Sequence, residues 1–385
     1  MRTGQLRRRP LRHVEQVAVY SRSYCRSRLW SGWLRATFPA IVHADNGREQ
    51  AMPLSSPVTI DRHIESIYRP LAMLAGMQLG VFTPLKDGPL SCADISVALG
   101  VRADKLRPLL YALVNAELLT VAGDSFANTP ESDEFLVRGR SRYCGGRHEA
   151  LAHHWHWALQ TADSIQDGKP RMKLEYADQP RETLAAIYRG MHAASLPVGV
   201  RLAPRLAEAG VTHLADIGGG SGGVAIGACL NVPGLRATII DLPNIAPVAE
   251  TFIADAALGD RVSTLAADVV AAPPACRFDA AVVKSVIEAL SPNDVRALLR
   301  HIAQSMDPGG SIFIVGNILD NSRTSPPLNV GFNLVFLNIY DDGQAYTEGE
   351  LREWLAEAGF GAIGIEFGSM SGGVSVITAR KPPAP

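Results

Sequence analysis

An α/β fold, a doubly wound and mostly parallel sheet preceded by a helical winged-helix domain, is predicted by three observations. From Val200 onward, short apolar runs alternate with helix-length runs; the first of these strands enters a glycine-rich loop; and residues 60–140 read as helices followed by two short extended pieces. Repeated strand–helix units with short connections build a parallel sheet, because each crossover returns the chain to the same end.

Taken in order, "IDRHIESIYRPLAMLAGMQLGVFTPL" carries apolar residues at helical spacing, and "SCADISVALGV" opens on a Ser cap with Asp94 in its first turn. "RADKLRPLLYALVNAELLTVAGDSFANTP" adds a helix and two strands around a Gly-Asp turn. A helical connector follows, with "EALAHHWHWALQTADSIQDG" and "RETLAAIYRGMHAASLPVG". The strands are then "THLADIG", "RATIIDL", "VSTLAADV", "FDAAVVKSVI", "SIFIVGNIL", "AIGIEFG" and "GVSVITARK". Only "SMSGG" separates the last two, so an antiparallel pair closes the sheet. The expected boundaries are a disordered basic leader over 1–56, a winged-helix domain over 57–149, a helical connector over 150–200, and an α/β domain over 201–385.

Hydrophobic residues make up 47% and charged residues 19% of the 385, a globular composition. The first 51 residues hold ten Arg and three acids; removing them from 37 basic and 38 acidic residues leaves 27 and 35. An acidic body argues against nucleic acid as the main partner. The Arg-rich leader has transit-peptide composition, and a disordered arm or translation from Met52 explains it equally simply. No stretch reaches the roughly 18 to 20 apolar residues of a membrane span. Five dispersed cysteines without CxxC spacing fit reduced thiols in the cytoplasm. His153, His154 and His156 invite a metal reading, but no adjacent carboxylate or cysteine completes a ligand set, so no metal is expected.

The chemistry concentrates at strand ends. In "LADIGGGSGGVA", Gly218, Gly220 and Gly223 also satisfy G-x-G-x-x-G, which alone is a weak dinucleotide signal. The second strand ends at Asp241, where a carboxylate can accept hydrogen bonds from ribose hydroxyls. The third ends at Asp268, placed for an adenine amino group. Carboxylates on successive strand tips suit an adenosine compound, and the fourth strand runs toward a further carboxylate, Glu288.

"DIGGGSGG", "IIDLP", "AADVV", "FDAAVVKSVIEAL", "MDPGGSIFIVGNIL" and "GQAYTEGELREWLAEAGF" resemble, in order and spacing, the S-adenosylmethionine-dependent small-molecule O-methyltransferases of caffeate and hydroxyneurosporene type. The resemblance spans roughly residues 57–382 and implies a class I methyltransferase sheet that carries catalysis over 201–385, a dimerisation domain over 57–149 and a connector over 150–200 that lines the acceptor pocket. It implies donor contacts at Asp216, Gly218, Gly219, Gly220, Gly222, Asp241, Leu242, Asp268, Val269 and Lys284. The departures fall on the family's base assembly: Glu288 stands where the family keeps His, Gly316 where a Glu follows the fifth strand, and Ala345 in place of a second Glu.

Glu288 is therefore the expected catalytic residue, because burial can raise a carboxylate by roughly 3 to 5 pKa units toward the range of a useful base. Its alternatives are substrate binding or a solvated helix start. His192, Asn333, Asn338 and Tyr340 are candidates for the acceptor pocket. The expected activity is methylation of a small, largely apolar acceptor by a homodimer, at oxygen by family default and at carbon or nitrogen as the alternative. A nicotinamide enzyme would share the glycine loop and leave Asp268 and the closing strands unexplained. An adenosine-sensing winged-helix regulator would need a basic recognition face.

Overall fold

The computed structural model describes residues 56–173, 179–370 and 373–384. Contacts divide the chain into Met1–Thr59 and Ile60–Pro385. The expected leader lies almost wholly outside the described residues.

The N-terminal part of the second unit is helical. After α1 (Val58–Ser66), α2 (Tyr68–Leu79) stops at Gly80, whose φ of 74° is the left-handed conformation that ends helices and favours glycine. A two-residue strand β1 (Leu90–Ser91) leads into α3 (Cys92–Leu99), where the Ser91 hydroxyl accepts the Asp94 N–H as the sequence predicts. Next come α4 (Ala103–Asn115), the hairpin β2 (Leu119–Ala122) and β3 (Ser125–Asn128) around Gly123-Asp124, and α5 (Pro130–Leu136). The order β1-β3-β2 is antiparallel, and Phe82, Ile95, Leu110, Leu113 and Phe126 form the core beneath it.

Three helices connect: α6 (His148–Ala158), α7 (Thr161–Asp167) and α8 (Arg181–Glu208). The main sheet follows, with β4 (His213–Ile217), α9 (Gly223–Asn231), β5 (Arg236–Asp241), α10 (Ala246–Asp255), β6 (Val262–Ala266), β7 (Phe278–Lys284), α11 (Pro292–Ser305) and β8 (Met306–Gly316). Then come α12 (Pro327–Ile339), α13 (Glu348–Glu357), β9 (Gly361–Glu366) and β10 (Ser375–Arg380). The sheet order is β6-β5-β4-β7-β8-β10-β9, parallel from β6 to β8, with β10 antiparallel to both neighbours. The chain leaves β4 toward β5 and β6, then returns to lay β7 on the other side of β4. That reversal opens a crevice at the carboxyl ends of β4 and β7, the place where such sheets bind ligands.

Apolar layers cover both faces, which is why β4 and β7 read as continuous apolar runs. Leu214, Ala237, Val282 and Phe313 pack toward α8, α9 and α10, whereas Ile217, Val283, Ile312 and Ile314 pack toward α11 and α13. α8 lies unusually close to α9: a Cβ added at Gly199 would meet the Val224 carbonyl oxygen at 2.1 Å, and one at Gly227 the Leu196 carbonyl at 2.4 Å. Backbone thus rests on backbone, fixing α8 over the glycine loop.

Two strands end earlier than the sequence suggests. β6 stops at Ala266, so Asp268 sits in the following loop, and β7 stops at Lys284. Ser285 has φ +54°, a conformation that breaks the strand, and Glu288 falls in a single 3-10 turn, Ile287–Ala289.

Candidate active site

The loop after β4 needs its glycines. Gly220 has φ +55°, and a Cβ there would lie 2.3 Å from the Tyr188 ring; Gly222 has φ +72° and starts α9. Gly218 donates to the Ile240 carbonyl at 2.7 Å, and Gly219 packs on Asp216, where a Cβ would stand 2.8 Å from the carboxyl carbon.

Two buried carboxylates hold this loop. Asp241, at the end of β5, accepts the Gly220 N–H through one oxygen and the Leu242 N–H through the other, both at 2.8 Å. An ionised carboxylate has about four acceptor positions, so two remain for a ligand's hydroxyl pair. Burial raises the Asp241 pKa, against the lowering effect of these two bonds. Asp216 is 1% exposed; its Oδ2 accepts the Ala225 N–H at 3.0 Å, and its Oδ1 has no partner among the described residues. Burial pushes Asp216 up to about 7, with Lys284 lowering and Asp241 raising it. A buried, unpartnered oxygen beside a glycine cradle fits a ligand that brings a hydrogen-bond donor or a positive charge.

The other predicted donor contacts are spread along adjacent strand tips. Leu242 packs with Leu184, Tyr188, Ile245 and Val248. Asp268 is exposed and accepts the Val270 N–H at 2.9 Å, while Val269 is buried beside it. Lys284 closes β7, its pKa lowered by burial and raised again by Glu288 and Asp216.

Glu288 is 2% exposed, so it is not a solvated helix-start residue. Its Oε1 accepts the Asn317 N–H at 2.7 Å, and its Oε2 is buried with no hydrogen-bond partner among the described residues. The carboxylate lies in the space over Gly316, where a Cβ would stand 2.1 Å from Oε1. Burial raises its pKa; the Asn317 N–H and the Lys284 charge oppose that rise. Tyr346 donates to the Leu290 carbonyl at 2.5 Å and braces the same turn.

Of the four acceptor-pocket candidates, Asn333, Asn338 and Tyr340 gather between α7 and α12, and His192 lies apart. Asn333 accepts the Ala345 N–H at 2.6 Å and, with Tyr340, lines a cleft of about 430 Å³ between α7 and α12. Gly343 lines the same cleft and packs on the Glu288 carbonyl, where a Cβ would sit 2.3 Å away. Asn338 is fully buried: it donates to Thr161 and the Leu334 carbonyl, and accepts from Ser164 at 2.6 Å. That set ties α12 to α7 and uses its amide internally. His192 is on the far side, its Nδ1 3.0 Å from the Ser221 hydroxyl of the glycine loop and its ring stacked on Phe252 of α10 at 4.4 Å. Since α10 follows β5, His192 belongs to the β5 flank of the crevice and Glu288 to the β7 flank.

Sequence reading passed over Tyr188, Ser221, Phe252 and Asn317. Ser221 lies inside the quoted glycine loop and was findable; Tyr188 and Phe252 reach the site only through the packing of α8 and α10. His153 and His154 both pack against Trp157, and His154 meets Phe332 edge-on at 5.0 Å. Phe332, Phe336 and Tyr340 continue that aromatic series along α12.

The sheet, its switch-point crevice and the family and relatives that follow define an S-adenosylmethionine-dependent methyltransferase. The O-methyltransferase domain family matches residues 167–361, half the chain, and the O-methyltransferase dimerisation domain matches residues 61–138. The chain belongs to the O-methyltransferase family. Among its relatives, the tetracenomycin polyketide synthesis 8-O-methyl transferase TcmO of Streptomyces glaucescens is 28% identical over 82% of this chain and 94% of the relative. The N,N-dimethyltransferase OxyT of Streptomyces rimosus is 29% identical over 75% of this chain and 86% of its own length. In fold, the chain is similar to human N-acetylserotonin methyltransferase in complex with SAM, with a TM-score of 0.69, 22% identity and coverage of 86% and 99%.

Proposed function

We propose that this enzyme methylates a flat, largely apolar small molecule, with Glu288 as the ionisable group beside the transferred methyl. The bound donor supplies an electrophilic methyl on a sulfonium, and transfer is an in-line displacement governed by positioning and exclusion of water. Donor binding falls to Asp241 and Leu242 at the ribose, Asp268 and Val269 at the adenine, the Gly218–Gly222 loop, and Asp216 with Lys284 near the charged end. His192 joins this donor side by steadying Ser221.

The acceptor lies along α12, where the aromatic series from His154 to Tyr340 offers ring faces for stacking. The observation that carries the role of Glu288 is its burial with one unpartnered oxygen. A dry carboxylate with a raised pKa can take a phenolic proton. Methylation at nitrogen is the second reading, favoured because the same buried charge would balance a cationic amine product.

Residues 57–149 act as a winged-helix homodimerisation module. The exposed apolar side chains Ile64 on α1, Ile67 at the junction, and Tyr68 and Leu71 on α2 support pairing with a second copy. Residues 150–200 serve as the connector, and 201–385 carry catalysis. Among the described residues no helix is long and apolar enough to cross a membrane, and the free Cys92, Cys144, Cys229 and Cys276 favour a reducing cytoplasm.

The test is methyl transfer from labelled S-adenosylmethionine to a cell extract, followed by purified labelled acceptor. Glu288→Gln should lower turnover by 10² or more, in the range of general-base contributions. Undiminished turnover would remove Glu288 from the chemistry.

A further inference from the structure

We infer that Gly316 is a positioning residue: its missing side chain creates the niche that holds the Glu288 carboxylate beside Asn317, so the two positions form one unit. The inference rests on the reading of Glu288 as the reacting carboxylate, and its geometry stands separately. Two observations converge on the niche, and a third contact holds the turn that carries Glu288. A Cβ at residue 316 would lie 2.1 Å from Oε1, 2.9 Å from the carboxyl carbon and 3.2 Å from Oε2, so the whole group fills that space. The carboxylate is anchored there by the N–H of Asn317, the next residue on the β8 side. The turn that carries Glu288 is held separately, from the loop after α12, where Gly343 packs on the Glu288 main-chain carbonyl and a Cβ would come within 2.3 Å.

Gly316 ends β8 and has no positive φ, so conformational freedom does not explain a glycine there; occupancy by Glu288 does. The charged groups facing the niche are Lys284, at the end of the neighbouring strand β7, and, through Lys284, Asp216 on β4. A methyl group at 316 cannot coexist with Oε1, and the neighbour that must yield is a side chain rather than backbone. Gly316→Ala therefore expels the carboxylate toward water, breaks its bond to Asn317, and leaves the ionisable group displaced from the crevice wall.

The experiment is a carbon-13 carboxyl titration of glutamate-labelled protein, with the Glu288 signal assigned by its disappearance in Glu288→Gln. In the unaltered protein this signal should titrate above the ordinary glutamate range near 4.3. In Gly316→Ala it should move back toward that range. Titration of Glu288 in Gly316→Ala at its unaltered position would overturn the inference. A general packing defect would lower the melting temperature without moving that signal.

If Gly316→Ala does not fold, the pair is tested by Glu288→Ala combined with Gly316→Ala. Coupled positions predict that the double variant recovers a cooperative melting transition, since the colliding carboxylate is gone. A double variant that also fails to fold would overturn the pairing. Full methyl transfer by Glu288→Gln would remove the catalytic reading and leave both of these outcomes readable.

Discussion

Asp216 and Glu288 are both buried carboxylates with raised pKa values, and they leave different signatures. For Asp216 the folded-state value of about 7 exceeds the ordinary one near 4. A group with a raised folded pKa favours the folded state at low pH and loses that contribution as pH rises through the folded value. The ligand-free protein should therefore lose stability between about pH 4 and 7, and Asp216→Asn should flatten that slope in thermal melts while its amide oxygen still accepts the Ala225 N–H. For Glu288 as base, the rate should fall as the pH drops through a value above the ordinary carboxylate range; a pH-rate profile checks this. The strand-end positions of Asp216 and Asp241, and the place of Glu288 a few residues past β7, were legible because the apolar runs before them are. The turn of Glu288 into the Gly316 niche was not, because it depends on a left-handed Ser285 and on a contact 28 residues away along the chain.

Among the elements, α8 and α9 carry the part of the account least visible in the sequence. Their helical character is plain from periodicity, yet their close contact depends on Gly199, Gly223 and Gly227 facing backbone, and spacing on one helix does not reveal what the other presents. Gly199→Ala should force α8 away from α9, loosening Tyr188 and His192 over the glycine loop. Overpacking of this kind costs about 1 to 3 kcal/mol. The expected outcome is a lower melting temperature together with weaker S-adenosylhomocysteine binding; a lower melting temperature with unchanged binding would separate α8 from the donor site. The strands ended within a few residues of their expected limits, since burial on both faces makes β4, β5 and β7 continuous apolar runs.

For the whole molecule, the alternation of strand and helix was enough to predict the doubly wound sheet and its antiparallel closure, because few topologies satisfy short, right-handed crossovers. The acceptor side was only partly legible: Asn338 reads like a polar pocket residue and instead bonds Thr161 and Ser164 of α7 in a buried lock. The proposed homodimerisation through α1 and α2 predicts twice the monomer mass in sedimentation, and Leu71→Asp should shift that equilibrium toward monomer. The proposed function divides labour across the crevice, with donor binding on the β4, β5 and β6 tips and at Lys284, and acceptor chemistry at Glu288 beside the β8 tip. Calorimetry with S-adenosylhomocysteine tests it most directly, using NAD as the competing ligand. The account predicts that the unaltered protein and Glu288→Gln bind S-adenosylhomocysteine alike, that Asp241→Ala loses at least about tenfold, equivalent to about 1.4 kcal/mol, and that NAD does not bind. Binding of NAD in its place, or unchanged S-adenosylhomocysteine affinity in Asp241→Ala, would contradict it.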